Sequence, residues 1–335
     1  MEFRSLGRTG VKVSNLCLGC MMFGGRTSAA DSYDIIDRSL DAGINFLDTA
    51  NVYSTGRSEE ATGEALKRNK KRNSVVLATK VHGKMGEGPN DLGNSRGHII
   101  DQCEQSLRRL QTDYIDLYQI HRPQADIPID ETLRAMDDLV RSGKVRYIGT
   151  STYGAWQLVE SLWVSKEMGL HRFVTEQPPY NLLDRRIERE LIPMAETYGF
   201  GLLPWSPLAG GLLTGKYQRG ETPPEDTRFG AMAANPIQQR RWSDRVFDVI
   251  DGLKPIAEDK GVTLSQLSLA WCMQQPGITS PIIGPRTMEQ LEDNLKAADV
   301  TITDEDKKRI DSVSRRGEMV SRFYEADFGP HPFRV

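Results

Sequence analysis

Short apolar runs alternate along this chain with stretches whose apolar residues recur at helical spacing, and the alternation repeats eight times. The runs are NLCLG (15–19), NFLD (45–48), SVVLATK (74–80), YIDLYQIH (114–121), VRYIGTS (145–151), RFVTEQ (172–177), FGLLPWS (200–206) and SPIIG (280–284). They are near-continuous rather than alternating apolar with polar, as expected for strands covered on both faces. Helical stretches such as DSYDIIDRSLDAG (31–43), HIIDQCEQSLRRL (98–110) and DETLRAMDDLVRSGK (130–144) separate them. Repeated strand–helix units imply parallel strands, and eight such units can close into a barrel. The expected fold is α/β, a (β/α)8 TIM barrel. FRSLGRTGVKVS (3–14) adds an N-terminal β-hairpin turning at Arg8-Thr9-Gly10, and DEDKKRIDSVSRR (304–316) adds an extra C-terminal helix before an aromatic tail. No linker divides the chain, so 1–335 reads as one domain. The competing arrangement is an open doubly wound sheet, whose glycine fingerprint after the first strand is absent.

With 38% hydrophobic and 27% charged residues the composition is that of a globular chain, and a net charge of −3 gives no reason to expect nucleic acid or an acidic membrane as partner. The start, MEFRSLGRTG, lacks the apolar core of a signal peptide, and no apolar stretch is long enough to span a bilayer. Four cysteines, Cys17, Cys20, Cys103 and Cys272, suit a reducing cytoplasm. Cys17 and Cys20 form one C-x-x-C without the second pair or histidines that a zinc site needs. Buried thiols at a strand end are the expectation, with a redox pair as the alternative. No metal is expected.

In a parallel barrel every strand ends on one rim, and chemistry sits there. The second run ends at Asp48, with Tyr53 five residues beyond; the third ends at Lys80, the fourth at His121, the fifth at Ser151 and Thr152, and the sixth at Gln177. A lysine closing an apolar run is costly unless an opposite charge compensates it, and Asp48 is on the neighbouring strand. An ammonium beside a phenol stabilises the phenolate that proton donation leaves behind. A histidine can hydrogen-bond a substrate oxygen and orient it. Singly, each of these residues has a structural explanation: ion pair, packing aromatic, strand-end cap. Together they suit proton delivery to a carbonyl oxygen while hydride arrives at carbon.

The order Asp48, Tyr53, Lys80, His121 resembles the catalytic tetrad of the aldo-keto reductase superfamily, and GINFLDTANVYSTGRSEEATGEAL (43–66) is similar to that family's first signature. The resemblance covers nearly the whole chain. It implies a barrel that binds NADP(H) without a Rossmann motif. By resemblance, Tyr53 is the general acid/base, Lys80 and Asp48 tune it, and His121 orients the carbonyl. Ser151, Thr152 and Gln177 would hold the nicotinamide carboxamide, and Trp205 would stack on its ring; Thr152 stands where many members carry asparagine. Met21 counts among the cofactor positions. Gly284, Arg286, Gln290, Asp293 and Asn294 match the adenosine-binding positions.

The stretch WSPLAGGLLTGKY (205–217) nearly satisfies the P-loop pattern through Gly210, Gly215 and Lys216, but Tyr217 cannot supply the magnesium-binding hydroxyl and no helix follows. A glycine-rich loop with a lysine still suits a pyrophosphate. The resemblance assigns Ser206, Pro207, Leu208, Gly210, Lys216 and Arg228 to the cofactor there, and places the chain near the branch containing the β-subunits of voltage-gated potassium channels and bacterial relatives. Substrate walls are expected from Met21, Met22 and Phe23, from the loops 82–96 and 122–128, and from Phe323, Tyr324 and Phe328. The expected activity is NADPH-dependent reduction of a small aldehyde or ketone. Oxidation of a sugar or polyol, and a redox-sensing regulatory subunit, are the alternatives. Homo-oligomerisation is left open.

Overall fold

The computed structural model describes residues 1–225, 227–231, 235, 239, 241–321 and 323. Eight parallel strands form one sheet: β3 (Cys17–Gly19), β4 (Phe46–Asp48), β5 (Val76–Val81), β6 (Ile115–Ile120), β7 (Val145–Ser151), β8 (Thr175–Gln177), β9 (Gly201–Leu202) and β10 (Ile282–Ile283). They neighbour one another in chain order, with β10 beside β3. The sheet closes between its outer strands, where the Ile282 amide donates to the Pro204 carbonyl at 2.8 Å and the Thr279 amide to Leu202 at 2.9 Å. The expected barrel is therefore present. Helices α1 (Ala29–Asp41), α2 (Arg57–Arg68), α3 (Arg96–Leu110), α4 (Ile129–Arg141), α5 (Ala155–Met168) and α6 (Leu191–Tyr198) follow the first six barrel strands.

Strand parity divides the apolar residues into two cores. Cys17, Phe46, Ala78, Leu117 and Ile282 pack inside the barrel, while their neighbours Leu18, Leu47, Leu77, Tyr118 and Ile283 pack outward against the helices. Successive strand side chains point to opposite faces, so residues two further on from the inner set, Asp48, Lys80 and Gln119, continue the inward face toward the rim. The apolar layer thus supports a polar one.

The N-terminal hairpin, β1 (Phe3–Ser5) paired with β2 (Lys12–Ser14), contributes Leu6 and Val13 to the inner core. It stoppers the end of the barrel opposite the rim. The fit is close: a Cβ on Gly7 would lie 2.5 Å from the Val174 carbonyl oxygen and 2.8 Å from the Gly201 amide, and Gly7 has φ +57°.

The seventh and eighth runs form shorter ladders than expected, two residues each. Pro204, Pro281 and Pro285 lack the amide hydrogen that a longer ladder requires. The stretch after β9 forms tight 3₁₀ turns over Ala209–Thr214, with left-handed Gly210 and Gly211. Among the described residues, α7 (Arg228–Ala231), α8 (Asp244–Asp259) and α9 (Leu264–Met273) precede β10. Beyond β10 come α10 (Met288–Leu295) and the expected extra helix, α11 (Asp304–Val313), capped by Thr303 and Asp306. Cys17 belongs to the inner core and Cys20 to the outer one. Both are free buried thiols, with burial pushing Cys20 up to about 12. A thiol so protonated is a poor nucleophile.

Replacing Gly7 with alanine should destabilise the protein by at least ~1–3 kcal/mol, since alanine resists this backbone angle and its methyl meets main chain rather than a movable side chain. Thermal unfolding of Gly7→Ala and Gly10→Ala is the check; Gly10, whose Cβ would meet nothing within 4 Å, should be nearly neutral.

Candidate active site

Lys80 is fully buried, and its ammonium has three oxygen partners. It donates to Asp48 Oδ2 at 2.5 Å, to the Thr49 carbonyl at 2.8 Å and to the Tyr53 hydroxyl at 3.4 Å. Burial works against its charge; Asp48, then Tyr53, more than offset this and hold it above the ordinary lysine range. The other carboxylate oxygen, Asp48 Oδ1, accepts from Gln119 Nε2 at 3.1 Å and from Gln177 Nε2 at 3.0 Å. Each buried charge is therefore paired and hydrogen-bonded, the condition under which such a pair is tolerated.

Tyr53 is placed by backbone that extends the β4–β5 ladder past the end of β4. The Thr49 amide donates to Ala78 at 2.9 Å, the Asn51 amide to Lys80 at 3.1 Å and the Tyr53 amide to Ala50 at 3.1 Å. The chain then bends sharply through left-handed Ser54, Thr55 and Gly56 into α2. His121, one residue past β6, meets the Tyr53 ring edge-on, centroids 5.5 Å apart. Burial first, then the charges of Lys80 and Arg122, keep its pKa well below the ordinary histidine value. At neutral pH the imidazole is neutral and offers one N–H donor and one acceptor. All four residues of the expected tetrad thus meet at one place on the rim. Gln119 was missed by sequence reasoning, although its position two residues before His121 on the same strand face marked it.

The other expected positions sit on the same rim or its outer edge. Ser151 is buried, its hydroxyl donating to the Gln177 carbonyl at 2.9 Å. Thr152 has φ +64°, Ser206 φ +53° and Ala209 φ +54°. Such strain in non-glycine residues gathers at functional sites. Trp205 is half-buried, and its indole Nε1 is buried without a hydrogen-bond partner among the described residues. Pro207 is buried, Leu208 and Gly210 are half-buried, and Met21 and Lys216 are exposed. The Lys216 ammonium lies 5.1 Å from the Tyr217 ring centroid. Arg286 is half-buried, its amide donating to Gln290 Oε1 at 2.9 Å, and its carbonyl accepts from Thr27 at 3.2 Å. Gly284 is exposed and Asn294 buried. Asp293 accepts from Gln266 Nε2 at 2.7 Å and from Thr263 at 3.2 Å, which ties α10 to the start of α9. The Arg228 side chain, Tyr324 and Phe328 lie outside the described residues.

Two expected substrate walls need correction. Phe23 is fully buried in the outer core, where it fills space between strands and helices. Phe323 is also buried, its ring 4.5 Å from the Arg241 guanidinium. The two expected wall loops do meet: the Asn94 amide donates to Gln124 at 2.7 Å, and Asn94 Nδ2 to the Arg122 carbonyl at 2.9 Å. Among the described residues no group of three His, Cys, Asp or Glu side chains could hold a metal, and no helix is long and apolar enough to cross a membrane.

A sequence model of the Aldo/keto reductase family matches residues 15–315. The chain belongs to the aldo/keto reductase family. It is 41% identical over 318 residues, covering 93% of this chain and 96% of the relative, to a protein of Oryza sativa subsp. japonica named a probable voltage-gated potassium channel subunit beta. It is 39% identical over 322 residues, 93% of this chain and 96% of the relative, to an uncharacterized oxidoreductase of Bacillus subtilis (strain 168). It is 35% identical over 330 residues, 91% of this chain and 95% of the relative, to versiconal hemiacetal acetate reductase of Aspergillus parasiticus. The rim of this aldo/keto reductase is thus where the four residues named from sequence converge.

Removing one partner of the buried pair leaves the other charge uncompensated. Lys80→Met should cost ~3–5 kcal/mol of stability, and adding Asp48→Asn should recover part of that loss. Denaturant unfolding of both single variants and the double variant is the measurement; additive losses would mean that the pair is not coupled.

Proposed function

We propose that this aldo/keto reductase reduces an aldehyde or ketone to the alcohol with NADPH. The observation that carries the reading is the Lys80 ammonium held between the Asp48 carboxylate and the Tyr53 hydroxyl. Reduced nicotinamide, when bound, would supply a hydride to the carbonyl carbon. Tyr53 donates the proton to the carbonyl oxygen, and Lys80 stabilises the phenolate that remains. Asp48 keeps Lys80 charged, and Gln119 and Gln177 hold Asp48 in place. Neutral His121 turns an N–H to the substrate oxygen and fixes its orientation.

The donor chemistry fits the cofactor. An indole N–H at Trp205 without a hydrogen-bond partner among the described residues, and strained backbone at Thr152, Ser206 and Ala209, follow the ends of β7 and β9. Ser151, Thr152 and Gln177 would hold the carboxamide; both amide hydrogens of Gln177 have partners, which leaves its carbonyl oxygen as acceptor. Trp205 and Met21 would flank the nicotinamide. Ser206, Pro207, Leu208, Gly210, Lys216 and Arg228 would hold the diphosphate, where a glycine-rich turn and cations suit an anion. Gly284, Arg286, Gln290, Asp293 and Asn294 would hold the adenosine, with Arg286 beside a helix N-terminus for the 2′-phosphate.

The likeness to proteins named channel β-subunits favours a second reading, a cofactor-binding regulatory subunit with slow turnover. Steady-state consumption of NADPH with 4-nitrobenzaldehyde separates the two. Tyr53→Phe keeps the ring and loses the proton, so kcat should fall ~10²–10⁴-fold with NADPH affinity little changed. Retained activity in this variant would remove Tyr53 as donor. Arg286→Ala should weaken NADPH roughly tenfold or more through loss of a charge-assisted hydrogen bond, and NADH much less. Fluorescence titration of both cofactors measures this, and equal weakening would place Arg286 away from the phosphate.

A further inference from the structure

Glu176 takes no part in the chemistry above, yet it is a fully buried carboxyl one residue from Gln177. Strand parity turns it away from the barrel interior, beneath the bend that follows β7. Its Oε1 accepts from the Tyr153 amide at 3.1 Å, and its Oε2 lies 2.5 Å from the Thr150 hydroxyl. The same hydroxyl lies 3.2 Å from the Thr175 carbonyl oxygen. Thr150 has one proton and two acceptors within reach. A carboxylic acid resolves this: it donates to Thr150 Oγ1, which donates onward to Thr175. A carboxylate leaves one of the two contacts without a proton.

The bend this group supports is strained. Thr152 is β-branched and left-handed, a conformation such residues resist. Three contacts from β8 hold it: the Thr152 amide and Ser151 hydroxyl both reach the Gln177 carbonyl, and the Tyr153 amide reaches Glu176. Thus β8 clamps the bend with Gln177 backbone on one side and the Glu176 side chain on the other.

We propose that Glu176 is a positioning residue for cofactor binding: as a neutral acid it locks the 150–153 bend in the shape that presents Ser151 and Thr152 to the nicotinamide end. The proposal rests on the reading of this rim as a nicotinamide-dinucleotide site. Burial pushes the Glu176 carboxyl up to about 8, against the hydrogen bonds from Thr150, Tyr153 and Thr152. Among the described residues the charged or titratable groups acting on it are Arg122, which favours the carboxylate weakly, and Tyr153, whose own ionisation Glu176 opposes. The Leu203 amide, one residue past β9, reaches the Glu176 backbone carbonyl and brings no charge. An acid raised in the folded state keeps a proton that the unfolded chain has lost. Its contribution is therefore full below about 4.5 and is lost as pH rises through about 8. Ionisation withdraws the proton shared with Thr150 and leaves a buried charge under the bend, so cofactor binding weakens over the same rise.

The test is NADPH fluorescence titration between about pH 6.5 and 9.5 on wild type, Glu176→Gln and Glu176→Leu, with thermal unfolding of each. Gln reproduces the acid's donor and acceptor and cannot ionise. Wild type should weaken by at least about fivefold through pH ~8, while Glu176→Gln binds within about threefold of wild type at low pH and shows no such step. Glu176→Leu, where it folds, should bind at least about tenfold more weakly at every pH. A step that persists in Glu176→Gln, or a wild type without one, overturns the role given to Glu176 and leaves the proposed function standing. A wild type that binds no nicotinamide cofactor at any pH overturns the proposed function, and this proposal with it.

Discussion

A buried ammonium is among the costliest groups a fold can carry, and Lys80 is fully inside this one. Most of the rim is arranged around that fact. Asp48 supplies the opposite charge, the Thr49 carbonyl accepts a second hydrogen bond, and the Tyr53 hydroxyl faces the third direction. Asp48 in turn needs donors for its second oxygen, and Gln119 and Gln177 supply them from two other strands. Four of the eight strands or their exit loops are therefore committed to one lysine. A site tied to this many rigid elements has little freedom to drift, which is what the proposed proton transfer over a fixed distance would require.

The barrel makes this arrangement affordable in space as well as in charge. Parity sends alternate residues inward, so the apolar layer of Phe46, Ala78 and Leu117 lies directly below the polar layer of Asp48, Lys80 and Gln119. The hairpin fills the opposite end with Leu6 and Val13, which pack into the inner core. Chemistry and stability thus occupy opposite ends of the same strands.

Backbone strain marks the other half of the rim. Thr152, Ser206 and Ala209 are left-handed although none is glycine, and each follows a strand that contributes to the expected cofactor surface. Such conformations persist only where surrounding contacts over-determine them. At Thr152 those contacts come from β8, including the side chain of Glu176, whose burial has no other evident return.

The sequence by itself determined the strand–helix alternation, the hairpin, and the order Asp48, Tyr53, Lys80, His121, because periodicity and strand ends are local signals. Only the tertiary structure decided what depends on register between distant segments. Gln119 and Gln177 reach Asp48 across separations of 71 and 129 residues, and no local pattern announces such a meeting. Phe23 looked like a pocket wall from its place after a strand, yet it is fully buried as a member of the outer core. Cys17 and Cys20 are the buried thiols expected at a strand end, but only register shows that their odd spacing places them in separate cores. Glu176 carries no signal in the sequence; the pairing of β8 with β7 makes it a buried acid beneath the bend at Thr152. Local chemistry names the candidates, and strand register decides which of them touch.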